Sequence, residues 1–383
     1  MRYAKERRRA TPSAWRVLAA ALASVALPYA SACHADAPRA ARAPELPVQQ
    51  LGVLASEEDA PFLFEGIEEG LAVATVSANA YAFLDYRGRR VVLLDTTGHV
   101  VRYIGRGGGA PGELRFPQSL VRIKKGVGVI DGQKNALVTF DTGGRALGDF
   151  RLDTLLGVPA PRLTRLRQLD NGDWAYSVVE HDAGRRSEAL YLRRGRHARL
   201  LARTAVAATH PMMTPCRVEL PSEAPVFWPT MRWDAIRNDV AFASDVDYRI
   251  VVWRATSGDS TVFTLSVPPP QAREADALEL PIGVEVHAGG ADCTLSRQDA
   301  LRQRGMARVR PAIARIALGP SGELWARLTV PSASGVAGYR HVGTSIDSLP
   351  SIAFPSAIAA DGRFVAVERR RDGEARLVRW QWR

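Results

Sequence analysis

A chain of 383 residues that is 46% hydrophobic and 24% charged is globular, with room for one large all-β domain or two smaller ones. Its 32 Gly and 24 Pro are scattered, which excludes a low-complexity polymer and suits many short strands joined by turns. The formal charge of +11 overstates the basicity of the globular part, because without residues 1–32 the balance falls to +6.

The chain begins with a basic zone (Arg2, Lys5, Arg7, Arg8, Arg9, Arg16), an apolar run from Val17 to Tyr29, and a small-residue zone, Ala30-Ser31-Ala32-Cys33-His34-Ala35. That is the layout of a secretory signal peptide, predicted over 1–32. The apolar run is short and broken by Pro28, so no membrane span is expected. Two processing routes fit. One is cleavage after Ala32 or Ala35; the other is cleavage before Cys33 with lipidation of its thiol, although alanine stands where a lipobox usually carries leucine. The expected product is periplasmic or secreted, with a lipid anchor only under the second route. Residues 33–46 read as a flexible linker.

After the linker comes a strand-like segment, Val48 to Leu54, with no neighbour in sequence to pair with. A repeat follows. Ala82-Phe83-Leu84-Asp85 aligns with Gly128-Val129-Ile130-Asp131, and Val91 to Gly98 with Leu137 to Gly144, at an offset of 46 residues. Each copy reads as three antiparallel strands, with Asp-Thr-x-Gly as a turn in which the carboxylate accepts from following amides.

The turn that opens the second strand recurs at Ser77 to Ala80, Lys124 to Gly126, Asp170 to Gly172, Arg237 to Asp239, Pro320 to Gly322 and Asp361-Gly362. Six such turns predict a six-bladed β-propeller of four-stranded antiparallel blades over residues 47–383. The longer spacings fall at Thr204 to Pro225 and at Pro268 to Arg310. Helices are expected in the second of these insertions, over Ala272 to Leu280 and Ser296 to Ala307, the latter opening on Ser296-x-x-Asp299. The last copy stops at Trp382 without a clear fourth strand, so Val48 to Leu54 is predicted to complete the last blade and spare it an open edge.

The run Tyr103-Ile104-Gly105-Arg106-Gly107-Gly108-Gly109-Ala110-Pro111-Gly112-Glu113-Leu114-Arg115-Phe116-Pro117, followed by Val127 to Gly144, resembles an NHL repeat. Pro215-Cys216, Phe227-Trp228-Pro229, Trp233 and Tyr248-Arg249-Ile250 also resemble the exported bacterial six-bladed propellers. The resemblance implies a scaffold that engages proteins, peptides or RNA, although some such propellers are lyases or metal-dependent hydrolases.

Residues with the look of chemistry mostly have simpler readings. Gly107 to Gly112 satisfies Gly-x-Gly-x-x-Gly, but Pro111 and the strand near Leu120 make it a loop between blades rather than a dinucleotide site. There is no Gly-x-Ser-x-Gly, and Ser332 to Gly335 reads as a loop. His34, His99, His181, His197, His210, His287 and His341 are dispersed without metal-ligand spacing. Glu57-Glu58-Asp59 with Glu65, Glu68 and Glu69 forms an acidic entry to the first blade, whose alternative fate is a cation site in the channel. Trp228, Trp233 and Trp253 fit packing between blades better than an aromatic platform. Arg193, Arg194, Arg196, Arg199 and Arg203 fit a solvated outer strand better than a nucleic-acid groove. Cys216 and Cys293 form an even pair in an exported chain, compatible with one disulfide or with two lone thiols.

No catalytic, cofactor-binding or metal residue is therefore assigned. The expectation is a non-catalytic propeller that binds a protein, peptide or glycan partner, not nucleic acid, on the face carrying the 268–310 insertion. The alternative is a propeller enzyme, a metal-dependent hydrolase or lyase, with acidic or histidine residues facing its channel.

Overall fold

The computed structural model of the chain describes residues 48–382, apart from 66–70, 78, 159–161, 265–268, 289–290, 320–321, 323, 332–336, 342–353, 360 and 370–373. The expected signal peptide, linker, Cys33 and His34 lie outside the described residues, as do Glu68, Glu69 and the 332–335 loop.

Strand β1 (Val48–Ser56) comes first, followed by a 3-10 turn at Pro61–Leu63. The next sheet is β2 (Val73–Ser77), β3 (Ala80–Asp85), β4 (Arg90–Asp95) and β5 (Val100–Ile104), and the one after it β6 (Pro117–Ile123), β7 (Gly126–Asp131), β8 (Ala136–Asp141) and β9 (Ala146–Arg151). Helix α1 (Leu152–Leu156) leads to β10 (Arg162–Gln168), β11 (Trp174–Asp182), β12 (Arg185–Arg194) and β13 (His197–Arg203), with β14 (Ala207–Ala208) also paired to β12. A hairpin, β15 (His210–Met213) and β16 (Glu219–Glu223), precedes the sheet of β17 (Arg232–Ile236), β18 (Asp239–Ala243), β19 (Arg249–Arg254) and β20 (Ser260–Thr264). Then come α2 (Glu274–Leu278), the hairpin β21 (Val284–Ala288) and β22 (Ala291–Leu295), and α3 (Arg297–Arg304). A sheet of β23 (Ile313–Leu318), β24 (Leu324–Pro331) and β25 (Ala337–His341) follows. The chain ends with β26 (Ala357–Ile358), β27 (Arg363–Arg369) and β28 (Ala375–Trp382), which join β1 in the order β1-β28-β27-β26.

This is an all-β propeller with few helices. Each expected turn leads into a second strand, β3, β7, β11, β18, β24 or β27. Five sheets have the four strands of a full blade, against the six that the turns predict. The β23–β25 sheet has three strands among the described residues, and the chain between β25 and β26 falls largely within 342–353. Strand β1 pairs antiparallel with β28 from Val48 opposite Trp382 to Ser56 opposite Arg376, so the first strand of the described residues hydrogen-bonds to the last.

Burial follows position in the blade. In the first repeat, β3 and β4 are almost wholly buried while β5 shows four exposed residues out of five, because only the middle strands have a neighbouring blade on both faces. Each large core lies between two successive sheets. One joins Leu84 and Val91 to Val129 and Phe140, the next Leu137 to Tyr176 and Val178, and the next Leu190 to Trp233 and Trp253. Ile250 then packs with Ile316 and Leu324, Trp325 with Phe364 and Trp380, and Val365 and Leu377 with Phe83. Burying one such side chain contributes about 1.5–3 kcal/mol.

The repeat's turn chemistry is explicit. Asp95 Oδ1 accepts from the amides of Thr97 (2.8 Å) and His99 (3.0 Å), and Asp141 Oδ1 from that of Arg145 (2.9 Å). Gly98 has φ +91°, and a Cβ there would lie 2.1 Å from the Leu54 carbonyl oxygen, so the position excludes any side chain. One turn earlier, Asp85 Oδ1 accepts from Gly88 N at 2.7 Å and Asp131 Oδ1 from Lys134 N at 2.9 Å, the same contact displaced by the repeat length.

The two insertions, read separately from the sequence, pack together. Gln303 of α3 receives a bond from Met213 N (2.7 Å) and donates one to Met213 O (3.0 Å). Met212 is buried with Leu295 and Ala300, and Val226 with Ala277 and Leu301. The predicted helices are present but shorter than expected, and Ser296 caps α3 by accepting from Asp299 N at 3.1 Å.

Candidate binding sites in the channel and under the insertions

Inner strands β2, β6, β10, β17, β23 and β26 all contribute to one cavity of about 350 Å³, the central channel. Its charged lining is chiefly basic: Arg122, Lys124, Arg165, Arg167, Arg237 and Arg315, against Asp170 and Asp234. Asp234 is the hub. Its Oδ1 accepts from Arg165 Nη2 at 3.2 Å and lies 3.9 Å from Arg167 Nε, while Oδ2 accepts from Leu318 N at 3.1 Å. Burial first, then the neighbouring Arg165 charge, pulls Arg167 down to about 9 despite the opposing pull of Asp234. A guanidinium keeps its proton at neutral pH, so the shift measures a cost of holding that charge in place.

Of the acidic residues expected as alternative channel ligands, the described ones do not line this cavity. Asp59 sits in the turn after β1, bonded to Ser56 at 2.6 Å, and Glu65 pairs with the exposed Arg87 at 2.9 Å. The reason is topological: β1 is the strand of its sheet farthest from β26, so the chain leaving it starts at the rim of the propeller rather than at its axis. Among the described residues, no three His, Cys, Asp or Glu side chains gather as a metal site. His99, His181 and His197 are exposed, and His287 Nδ1 lies 2.6 Å from Asp292 in an exposed hairpin.

A second cavity, of about 380 Å³, lies where the insertions meet the starts of β17 and β23. Phe227, Trp228, Pro229 and Leu280 form apolar walls, and Arg186, Arg232, Arg304 and Arg310 supply charge. Carboxylates offset most of it: Glu223 bonds Arg186 and lies 3.9 Å from Arg304, Glu188 lies 3.9 Å from Arg186, and Asp276 lies 3.3 Å from Arg310. Burial lowers the pKa of both Arg232 and Arg304 against the pull of Glu188 and Glu223 respectively. Arg232 itself remains exposed to solvent. Arg310 lies 5.0 Å over the Phe227 ring. Two buried polar atoms of the lining, Thr230 Oγ1 and Arg310 Nε, have no hydrogen-bond partner in the protein.

The tryptophans therefore divide. Trp233 and Trp253 are core residues, Trp233 donating to Ser177 Oγ at 2.8 Å, whereas Trp228 is half-buried in the cleft wall and donates to Ala205 O at 3.0 Å. Of the clustered arginines, Arg194 at the end of β12 pairs with Asp173 (2.9 Å) and Arg203 at the end of the outer strand β13 with Glu180 (2.8 Å). Cys216 and Cys293 have Cα atoms 6.0 Å apart with their sulfurs adjacent. The glycine run is a connection from β5 to β6: Glu113 accepts from Ala110 N at 2.8 Å and pairs with Arg106 at 2.8 Å.

What the sequence reading missed is the charge of the inner strands. An arginine occurs in the strand before the turns at Lys124, Asp170, Arg237 and Pro320, and Arg165-Leu166-Arg167 alternates as a half-exposed strand should. That pattern was visible, but which strand faces the axis was not.

Sheet order and cavities together define a β-propeller with a cationic channel and a capped face. No protein-family model matches the chain, and no curated protein matches it in sequence. Solved structures similar in fold include a Bacteroides fragilis protein described as exported, with 12% identity over 81% of this chain and 89% of that one, TM-score 0.44. A streptogramin B lyase has 10% identity over 88% and 97% of the two chains, TM-score 0.38. A calcium-binding regucalcin from Agrobacterium tumefaciens has 11% identity over 82% and 92%, TM-score 0.38.

Proposed function

We propose that this chain is exported and acts as a non-catalytic binding scaffold, an NHL-like propeller whose cleft under the insertions receives a peptide segment of a protein partner. The observation that carries the reading is the cleft itself: apolar walls at Phe227, Trp228 and Leu280 beside Arg186, Arg232 and Arg304, with Thr230 Oγ1 and Arg310 Nε buried without a hydrogen-bond partner in the protein. That chemistry suits a segment placing an apolar side chain next to an acidic one.

Export rests on the layout of residues 1–32, with Cys33 as the lipidation point under the second processing route. Six blades are favoured by the two cores that flank β23–β25, one shared with the preceding sheet and one with the sheet that contains β1. A Cys216–Cys293 disulfide is favoured by the 6.0 Å Cα separation and by an oxidising destination.

The test is selection of random displayed peptides on the mature protein, counter-selected on a Trp228→Ala variant. Enrichment of acidic-apolar peptides that lose about tenfold or more in affinity on Trp228→Ala is expected, the loss typical of an interface anchor. Peptides that bind both proteins equally, or none that bind at all, would exclude the cleft as the docking site.

A further inference from the structure

We propose that the central channel is a separate ligand site, for a small multiply charged oxyanion: a molecule carrying phosphate or several carboxylates. Among the described residues lining the cavity are six cationic side chains and two carboxylates. Asp234 is already engaged by Arg165, by the Leu318 amide and, at longer range, by Arg167. Asp170 stands at the turn between β10 and β11, at the end of the cavity marked by Arg237 and Lys124.

Geometry adds two points. Arg165 Nε is buried without a hydrogen-bond partner in the protein, although the same guanidinium donates to Trp233 O and to Asp234. Arg165, Arg167 and Arg315 come from β10 and β23, two inner strands whose side chains reach a common space. Planar guanidinium groups converging on one space match the paired oxygens of phosphate or carboxylate. The volume, about 350 Å³, is at the small end for ligand sites and suits a compact anion rather than a polymer. Burial and mutual repulsion already make the Arg167 charge costly, and an anion would relieve that cost. The low-dielectric walls of a channel also focus such a field and draw anions in.

The site is distinct from the peptide cleft. Strand β17 gives Arg232 to the cleft and Asp234 to the channel, and the two cavities share no lining residue. The experiment is thermal unfolding and calorimetric titration of the mature protein with inorganic phosphate, with citrate, and with glycerol and ionic-strength-matched chloride as controls. Phosphate or citrate is expected to raise Tm with concentration, as a native-state ligand must, while the controls do not. A response to phosphate alone assigns a phosphorylated ligand, and one to citrate alone a polycarboxylate.

Arg167→Gln is expected to weaken the binding about tenfold or more, as loss of a charge-assisted bond does, and Trp228→Ala to leave it unchanged. Lys124→Gln, at the exposed end of the cavity, provides a second channel variant should Arg167→Gln fail to fold. Absence of any anion response in folded wild-type protein, or a response that persists undiminished in the folded channel variant, overturns the proposal. Loss of peptide binding on Trp228→Ala with the anion response intact would separate the two sites.

Discussion

Asp131 shows how much of a blade can hang on one side chain. It is fully buried, and its two oxygens accept three amides: Lys134 N on one, and Arg115 N (2.6 Å) and Phe116 N (3.2 Å) on the other. The carboxylate thereby ties the end of β7 to the loop arriving from β5. Lys134 Nζ completes the clamp with bonds to the carbonyls of Ala110 and Glu113, both at 3.0 Å. Truncation leaves three part-buried amides without their acceptor, so Asp131→Ala is expected to lower stability by about 1–3 kcal/mol, and chemical denaturation measures it. Asp85, the matching residue of the preceding copy, accepts from the Gly88 amide in the same way and pairs with the Arg90 side chain. The repeat alignment pairs these two aspartates correctly.

At the scale of elements, the insertions were legible as excess length and the helix start at Ser296 as a cap. Their union was not. Gln303 reaches Met213 across 90 positions, and no local pattern encodes a contact at that range. The two cysteines were the single available hint, since a proposed Cys216–Cys293 bond spans 77 positions and joins one insertion to the other. Closing a loop of that size stabilises by about 4 kcal/mol in the chain-entropy view. Non-reduced, denatured mature protein should therefore show no free thiol from this pair. Replacing both residues by serine should lower Tm and melt the insertions before the blades, a difference that hydrogen exchange resolves. Equal protection in the serine variant would mean that the packing of Met212, Leu295 and Leu301 suffices.

For the molecule as a whole, closure is the decisive event. Strand β1 covers the outer edge of β28, and Leu54 of β1 belongs to the core shared by Val365, Leu377 and Phe83. A chain lacking residues 1–56 loses that pairing and exposes a strand edge. It is expected to aggregate or to unfold at markedly lower temperature than a chain starting near 46, by size exclusion and thermal melt; equal Tm would show that the ring holds without β1. The sequence by itself determined the strands, the turns between them and the partner of the first strand, because alternation, Asp-Thr-x-Gly chemistry and an unpaired end are local signals. Only the tertiary structure decided which strands face the axis, which arginines meet there and which tryptophan is left on the cleft wall. Those facts depend on convergence of residues far apart in the chain, and the ring places them by packing blade on blade, without any local mark on the residues themselves.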